Sequence, residues 1–406
     1  MRFLFYSHDG LGLGHTRRNL ALADAVTRLH PGAAVLMATG VQPLSFLGIP
    51  HGVEVLKLPG IRKINNDVYG GRRLPISLAE HVAVRSAIIR AAVESFRPDV
   101  LLADKHPFGV GNELLPALEV IRERGGRTAL GLRDILDDPN ALVSEWVRQD
   151  LLRRIPRYYD RVLVYGSRSV FDPIASYGFS AAMTERTVFC GYVVNRTRRH
   201  WRAADALPIL SPDRPTVLAT AGGGQDGVHV LDCFLQAVAG AGWNAIVVTG
   251  PETPEGDRRA LEARALETGV AFRSFLPGLS QWFGKVDALV SMGGYNTIVE
   301  ALLSGTPTVC VPRVVPRTEQ LLRAQAFARK GLLRLLRPEE LEPSRLHREV
   351  LAALDSSRKE LQKRALTVLD FDGAMKSGRE LIQLARQAGA PPGRDAAPAP
   401  PFPGAA

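Results

Sequence analysis

The chain has 406 residues, a length that fits two domains or three. Hydrophobic residues make up 46% and charged ones 23%, which excludes a disordered chain, a collagen-like fibre and a small disulfide scaffold. The net charge of +10 is uneven: residues 1–200 hold 27 Lys and Arg against 19 Asp and Glu, residues 201–406 hold 24 against 22. A positive N-terminal half points to an anionic partner there, a phosphorylated acceptor or a membrane surface. However, 43 of the basic residues are Arg and 8 are Lys, a bias that genome composition also produces. Few aromatics and no recognisable nucleic-acid module argue against nucleic acid. No apolar run reaches the roughly 18 residues of a membrane span. The N-terminus turns polar too early for a secretory signal, and Cys190, Cys233 and Cys310 are too far apart for a metal or disulfide framework. A cytoplasmic protein is the expectation.

Strand-length apolar runs alternate with longer amphipathic stretches, the rhythm of βα units and a parallel sheet. Arg2–Ser7 reads as a strand, followed by a glycine-rich turn and a helix over 16–29. Ala33–Ala38 and Val53–Leu58 read as strands, and Leu78–Phe96 as a long helix. Val100–Ala103 is a buried strand that delivers Asp104 at its carboxyl end, and Thr128–Leu132 and Arg161–Tyr165 read as two more. A polar, Pro-broken stretch over 195–215 reads as an inter-domain linker. The rhythm restarts with a strand at Thr216–Thr220, a helix over 228–239, and strands at Ala245–Thr249, Ala288–Ser291 and Thr308–Val311. The expected division is an N-terminal Rossmann-like domain over 1–200, a C-terminal one over 201–388 with a final helix at 374–388 that packs back across the linker, and a disordered tail over 389–406.

Three glycine-dense loops stand where an open parallel sheet binds ligands, beyond the carboxyl ends of strands. The first runs Gly10-Leu11-Gly12-Leu13-Gly14-His15. It fails as a dinucleotide fingerprint because its third glycine comes one position early and no acidic residue ends the second strand. The second, Thr220-Ala221-Gly222-Gly223-Gly224-Gln225, can surround a phosphate with backbone N–H groups and lacks the Lys-Ser/Thr of a Walker loop. The third, Ser291-Met292-Gly293-Gly294-Tyr295-Asn296-Thr297, opens a helix that carries Glu300. Glu300 can accept hydrogen bonds from vicinal sugar hydroxyls, or form a capping box with Thr297.

In this order and spacing the loops resemble the GT-B glycosyltransferases, and in particular family 28, whose type member forms lipid II. The segments that carry the likeness are Phe275-Leu276-Pro277, Gly293 to Ala301, Gly305-Thr306-Pro307 and Glu319-Gln320. A bacterial group of predicted glycosyltransferases shares the opening His8-Asp9 and Gly12-Leu13-Gly14-His15-Thr16-Arg17-Arg18-Asn19. The resemblance implies two Rossmann-like parallel-sheet domains facing a central cleft. It also implies transfer of a sugar from a nucleoside diphosphate, UDP first and dTDP next, with inversion and without a metal or other cofactor.

Residue by residue, it implies that the backbone at Phe275 and Leu276 reads the base and that Glu300 holds the ribose. Gly222, Gly223, Gly224, Gln225, Gly293 and Gly294 would contact the diphosphate, aided by the helix at Asn296 and Thr297. Glu319 and Gln320 would hold donor-sugar hydroxyls, while Gly12, Gly14 and His15 face them from the other domain. Arg313 and Arg317 depart from the family pattern; they fit an anionic sugar, acceptor or leaving group, or merely anchor the loop.

For the base that takes the acceptor proton, His15 is the first candidate and Asp104 the second. His15 could instead cap the helix or bind phosphate. His8, Asp9 and Arg133-Asp134 stand at neighbouring strand ends, and Asp137-Asp138-Pro139 suits a turn rather than a metal site. A nucleotide-sugar hydrolase or 2-epimerase would keep the same nucleotide loops. The acceptor is not identified by the residues. A lipid-linked or otherwise anionic one suits the basic half, with peripheral contact to the inner face of the membrane through Leu44–Pro50, a segment that suits buried core better, or through a mobile basic loop from Arg62-Lys63 to Arg72-Arg73.

Overall fold

The computed structural model describes residues 1–7, 14–41, 48–63, 69–195, 207, 211–224 and 226–389. In chain order its strands are β1 (Arg2–Ser7), β2 (Ala34–Thr39), β3 (Val53–Lys57), β4 (Ile61–Lys63), β5 (Tyr69–Gly71), β6 (Val100–Asp104), β7 (Arg127–Arg133), β8 (Arg161–Tyr165) and β9 (Thr187–Phe189). After them come β10 (Thr216–Thr220), β11 (Asn244–Val248), β12 (Ala271–Arg273), β13 (Ala288–Ser291), β14 (Thr308–Cys310) and β15 (Arg334–Leu335).

Two parallel sheets result. The first has the order β3-β2-β1-β6-β7-β8-β9 and the second β12-β11-β10-β13-β14-β15. Both reverse direction beside their first strand, between β1 and β6 and between β10 and β13, so each has a topological switch point at its carboxyl edge. Central strands such as Val100–Asp104 are buried at every residue, as expected when helices cover both faces of a sheet. The predicted core strands all form, most within one residue of their expected ends. The sequence reading missed the edge strands β9, β12 and β15, which are two or three residues long and only half-buried or exposed, so apolar patterning hardly marks them.

Two expectations change on contact with the structure, and a third, the return of the final helix to the N-terminal half, is met. Asp137-Asp138-Pro139 is a helix start rather than a free turn: the Asp138 side chain accepts from the backbone N–H groups of Asn140 and Ala141, and Pro139 takes the first helical position. The basic stretch between Arg62 and Arg73 contains the antiparallel pair β4–β5; Arg72 beyond it reaches Glu252 of the other half at 3.6 Å. The final helix, Gly373–Gln387, returns to the N-terminal sheet. Its Gly378 lies so close to Ala25 and Leu29 of the helix Gly14–Leu29 that an added Cβ would come 3.0 Å from Leu29. Most of the linker (196–206 and 208–210), residues 44–47 of the apolar segment, 64–68 of the basic stretch and the tail from 390 onward lie outside the described residues. Among the described residues, no helix is long and apolar enough to cross a membrane.

Candidate active site

The carboxyl edges of the two sheets face each other across a cavity of about 350 Å³. Of the residues singled out from sequence, Gly14, His15, Gly222, Gly223, Gly224, Phe275, Leu276, Gly294, Asn296, Thr297, Glu300, Arg317, Glu319 and Gln320 line it. Gly12 and Gln225, like His8 and Asp9, lie outside the described residues. Gly293 stands just behind the lining, where its carbonyl accepts from Arg323 and an added Cβ would meet the Gln320 carbonyl at 2.8 Å. Asp104 is fully buried behind His15.

The C-terminal wall is made largely of backbone. Gly222 (φ +66°) and Gly224 (φ +94°) adopt left-handed conformations that favour glycine, and a Cβ on Gly224 would clash with Thr253 and come 2.7 Å from Gly250 Cα. The helix Tyr295–Leu303 starts from Gly294 without a side-chain cap, which leaves its first N–H groups directed at the cleft. The capping box between Thr297 and Glu300 is therefore absent. Glu300 instead receives Arg17 Nη2 at 2.7 and 2.9 Å from the opposite wall. Asn296 spans the same gap, its Nδ2 donating to the Gly14 carbonyl at 3.2 Å.

The N-terminal wall is made of buried charge. His15 and Arg18 lie one turn apart on the helix Gly14–Leu29, and both reach Asp104 at the end of β6. His15 Nδ1 is 2.7 Å from Asp104 Oδ2, and Arg18 Nη2 donates to both Asp104 oxygens at 2.9 and 2.7 Å. Burial alone would raise the Asp104 carboxyl, but Arg18 first and His15 second hold it far below the usual carboxylate range. Burial outweighs Asp104 at His15 and brings its imidazole down to about 4, so the ring is neutral at physiological pH. With an ionised Asp104 against Nδ1, the proton belongs on Nδ1 and the lone pair on Nε2. Arg18 Nη2 also lies 2.9 Å from Nδ1.

Arg313 and Arg317 both engage protein carboxylates. Arg313 pairs with Asp226 at 2.6 Å and with Glu319 Oε1 at 2.8 Å, while its backbone N–H donates to Gln320 Oε1 at 3.2 Å. Arg317 reaches Asp137 at 3.3 Å and Glu145 at 3.4 Å on the N-terminal side.

Sequence reasoning missed Arg323, which is fully buried in the helix Glu319–Arg329 and pairs with Asp134 at 2.8 Å while donating to the Gly293 and Ile135 carbonyls. It also gave no role to Arg17 and Arg18. The available signal was the Arg17-Arg18 pair, separated from His15 by one residue and followed by a helix face of Leu and Ala residues.

The glycosyltransferase family 28 C-terminal domain matches residues 233–377. The chain is a GT-B glycosyltransferase with a family 28 C-terminal domain. It is 26% identical over 376 residues to the UDP-N-acetylglucosamine–N-acetylmuramyl-(pentapeptide) pyrophosphoryl-undecaprenol N-acetylglucosamine transferase of Saccharopolyspora erythraea, covering 91% of this chain and 90% of that protein. Among solved structures, the Arabidopsis thaliana enzyme UGT89C1 complexed with UDP superposes with a TM-score of 0.64 at 13% identity, covering 95% and 99% of the two chains. The glycosyltransferase VinC in complex with dTDP superposes with a TM-score of 0.61 at 16% identity, covering 96% and 100%. These two likenesses concern the shared fold. In this GT-B enzyme, the cavity between the sheets is the candidate active site.

Proposed function

We propose that this glycosyltransferase takes its sugar from a UDP-sugar, with a dTDP-sugar as the next choice, and transfers it with inversion and without a metal ion. The observation that carries the reading is the His15–Asp104 pair, which stands across one cavity from the glycine loops and the uncapped helix start. The nucleotide would lie on the C-terminal wall, with its base along Phe275 and Leu276 and its diphosphate against Gly222–Gly224 and the N–H groups at Gly294–Asn296. Glu300 would bind the ribose. A carboxylate has about four acceptor sites, so Arg17 can orient it and still leave places for two hydroxyls.

The transfer is then a single displacement. His15 Nε2 accepts the proton of the acceptor hydroxyl, whose oxygen bonds to the anomeric carbon as the bond to the diphosphate breaks. The diphosphate leaves with the electron pair, stabilised by the helix N-terminus and loop amides. Asp104 stabilises the imidazolium formed and holds the ring in its tautomer. A lipid-linked acceptor fits the positive N-terminal half, and the name of the Saccharopolyspora relative specifies a pyrophosphoryl-undecaprenol acceptor.

A binding titration with UDP, dTDP and GDP, followed by product analysis with each donor that binds, tests the reading. Selective binding of a pyrimidine diphosphate, with glycoside formed only when an acceptor is supplied, is expected. Binding of none of the three, or a new sugar nucleotide as product, would overturn it.

A further inference from the structure

Six cationic side chains line the cavity: Arg17, Arg18, Lys105, Arg133, Arg313 and Arg317. Four of them are neutralised within the protein, Arg17 by Glu300, Arg18 by Asp104, Arg313 by Asp226 and Glu319, and Arg317 by Asp137 and Glu145. Arg133, the last residue of β7, is different. Among the described residues its side chain has no hydrogen bond or ion pair, and its Nε is buried without a partner. Its neighbour Asp134 is committed to Arg323.

The Arg133 side chain is half-buried, but its Nε is removed from water without an acceptor, which costs free energy and suits the guanidinium to an acceptor that arrives with a ligand. Glu319 is the carboxylate whose charge acts most strongly on Arg133, yet no hydrogen bond joins the two, which leaves the guanidinium donors for a ligand. One further observation agrees. Lys105 follows Asp104 on the adjoining strand and lines the same cavity with a left-handed backbone, φ +71°, uncommon for a residue with a side chain.

Position separates this group from the diphosphate. Gly222–Gly224 and the helix start at Tyr295 belong to the C-terminal sheet, whereas Arg133 ends a strand of the opposite sheet on the same wall as His15. It stands where the sugar and the acceptor would meet. We propose that Arg133, with Lys105 beside it, binds an oxyanion, a carboxylate or a phosphate, carried by a sugar substrate. This rests on the nucleotide-sugar reading above. Either the donor hexose or the acceptor sugar can supply the charge, and the planar fork of Arg matches both groups.

The test is calorimetric titration of the full chain and of Arg133→Met and Arg133→Lys with UDP, UDP-glucose and UDP-glucuronate. UDP should bind all three proteins alike, which controls for folding and tests the nucleotide reading separately. An anionic donor gives UDP-glucuronate about tenfold tighter binding than UDP-glucose in the wild type. That preference should vanish in Arg133→Met and persist in part in Arg133→Lys. If the donors bind equally, glucuronate and glucose 6-phosphate are compared with glucose on UDP-saturated protein; preference for the anions, lost in Arg133→Met, assigns the charge to the acceptor. The inference is overturned if neither comparison separates charged from neutral sugars, or if Arg133→Met keeps the preference. Equal losses of UDP and UDP-glucuronate affinity in Arg133→Met would also overturn it, by making Arg133 a diphosphate ligand. A chain that binds no UDP overturns the nucleotide reading and this inference with it.

Discussion

The two walls of the cleft solve different problems with different materials. The C-terminal wall presents backbone: two left-handed glycines and a helix start without a side-chain cap. Such a surface binds an anion whose shape is fixed and needs no proton of its own. The N-terminal wall presents side chains, His15 and Arg18 around Asp104 and, further along, Asp134, which pairs across the gap with Arg323 of the C-terminal half. Burial strengthens those interactions and shifts the imidazole, which suits proton transfer. Substitutions on the C-terminal wall should therefore change nucleotide binding and those at His15 and Asp104 turnover, with the residues that span the gap changing both.

The largest effect on stability should come from such a spanning pair. Arg323→Met leaves Asp134 buried and uncompensated, at a cost of about 3–5 kcal/mol, so thermal unfolding should fall by on the order of 10 °C. Calorimetry of Arg323→Met beside Asp134→Asn checks this, and a shift below one degree would mean that the seam is not held there.

Glu300→Ala should weaken UDP about thirtyfold, by removing a charged acceptor for the ribose. Arg17→Ala should weaken it about threefold, because Arg17 only orients that carboxylate. Tighter UDP binding in Arg17→Ala would show instead that Arg17 competes with the ribose.

A smaller effect separates the walls by pH. An imidazole brought down to about 4 by burial stays neutral, and able to accept a proton, at every pH above that value. The kcat/KM profile should therefore stay level down to about pH 5 and fall as pH drops through about 4. A fall centred at pH 6.5, the ordinary value of histidine, would place the base outside this buried pair.

The division between the walls also explains what the sequence made legible. Alternating strands and helices predicted both parallel sheets, because buried strands are continuous apolar runs. The glycine loops were legible because only glycine takes the φ of Gly222 and Gly224 without strain. His15 was visible at the end of a glycine loop and Asp104 at a strand end, but not their contact, since 89 positions separate them. The Arg323–Asp134 pair joins residues 189 apart, and its Arg looks in the sequence like any charge on an amphipathic helix. Arg133 was visible at a strand end, but only the structure shows that the other lining guanidiniums already have carboxylates.

Single-turnover transfer and UDP binding, measured together on His15→Ala and Glu300→Ala, separate the work of the two walls. His15→Ala should lower the transfer rate by about a thousandfold and leave UDP affinity within twofold, whereas Glu300→Ala should lose UDP affinity. Equal losses of UDP affinity in both variants, or wild-type transfer by His15→Ala, would contradict the division of labour between the two walls.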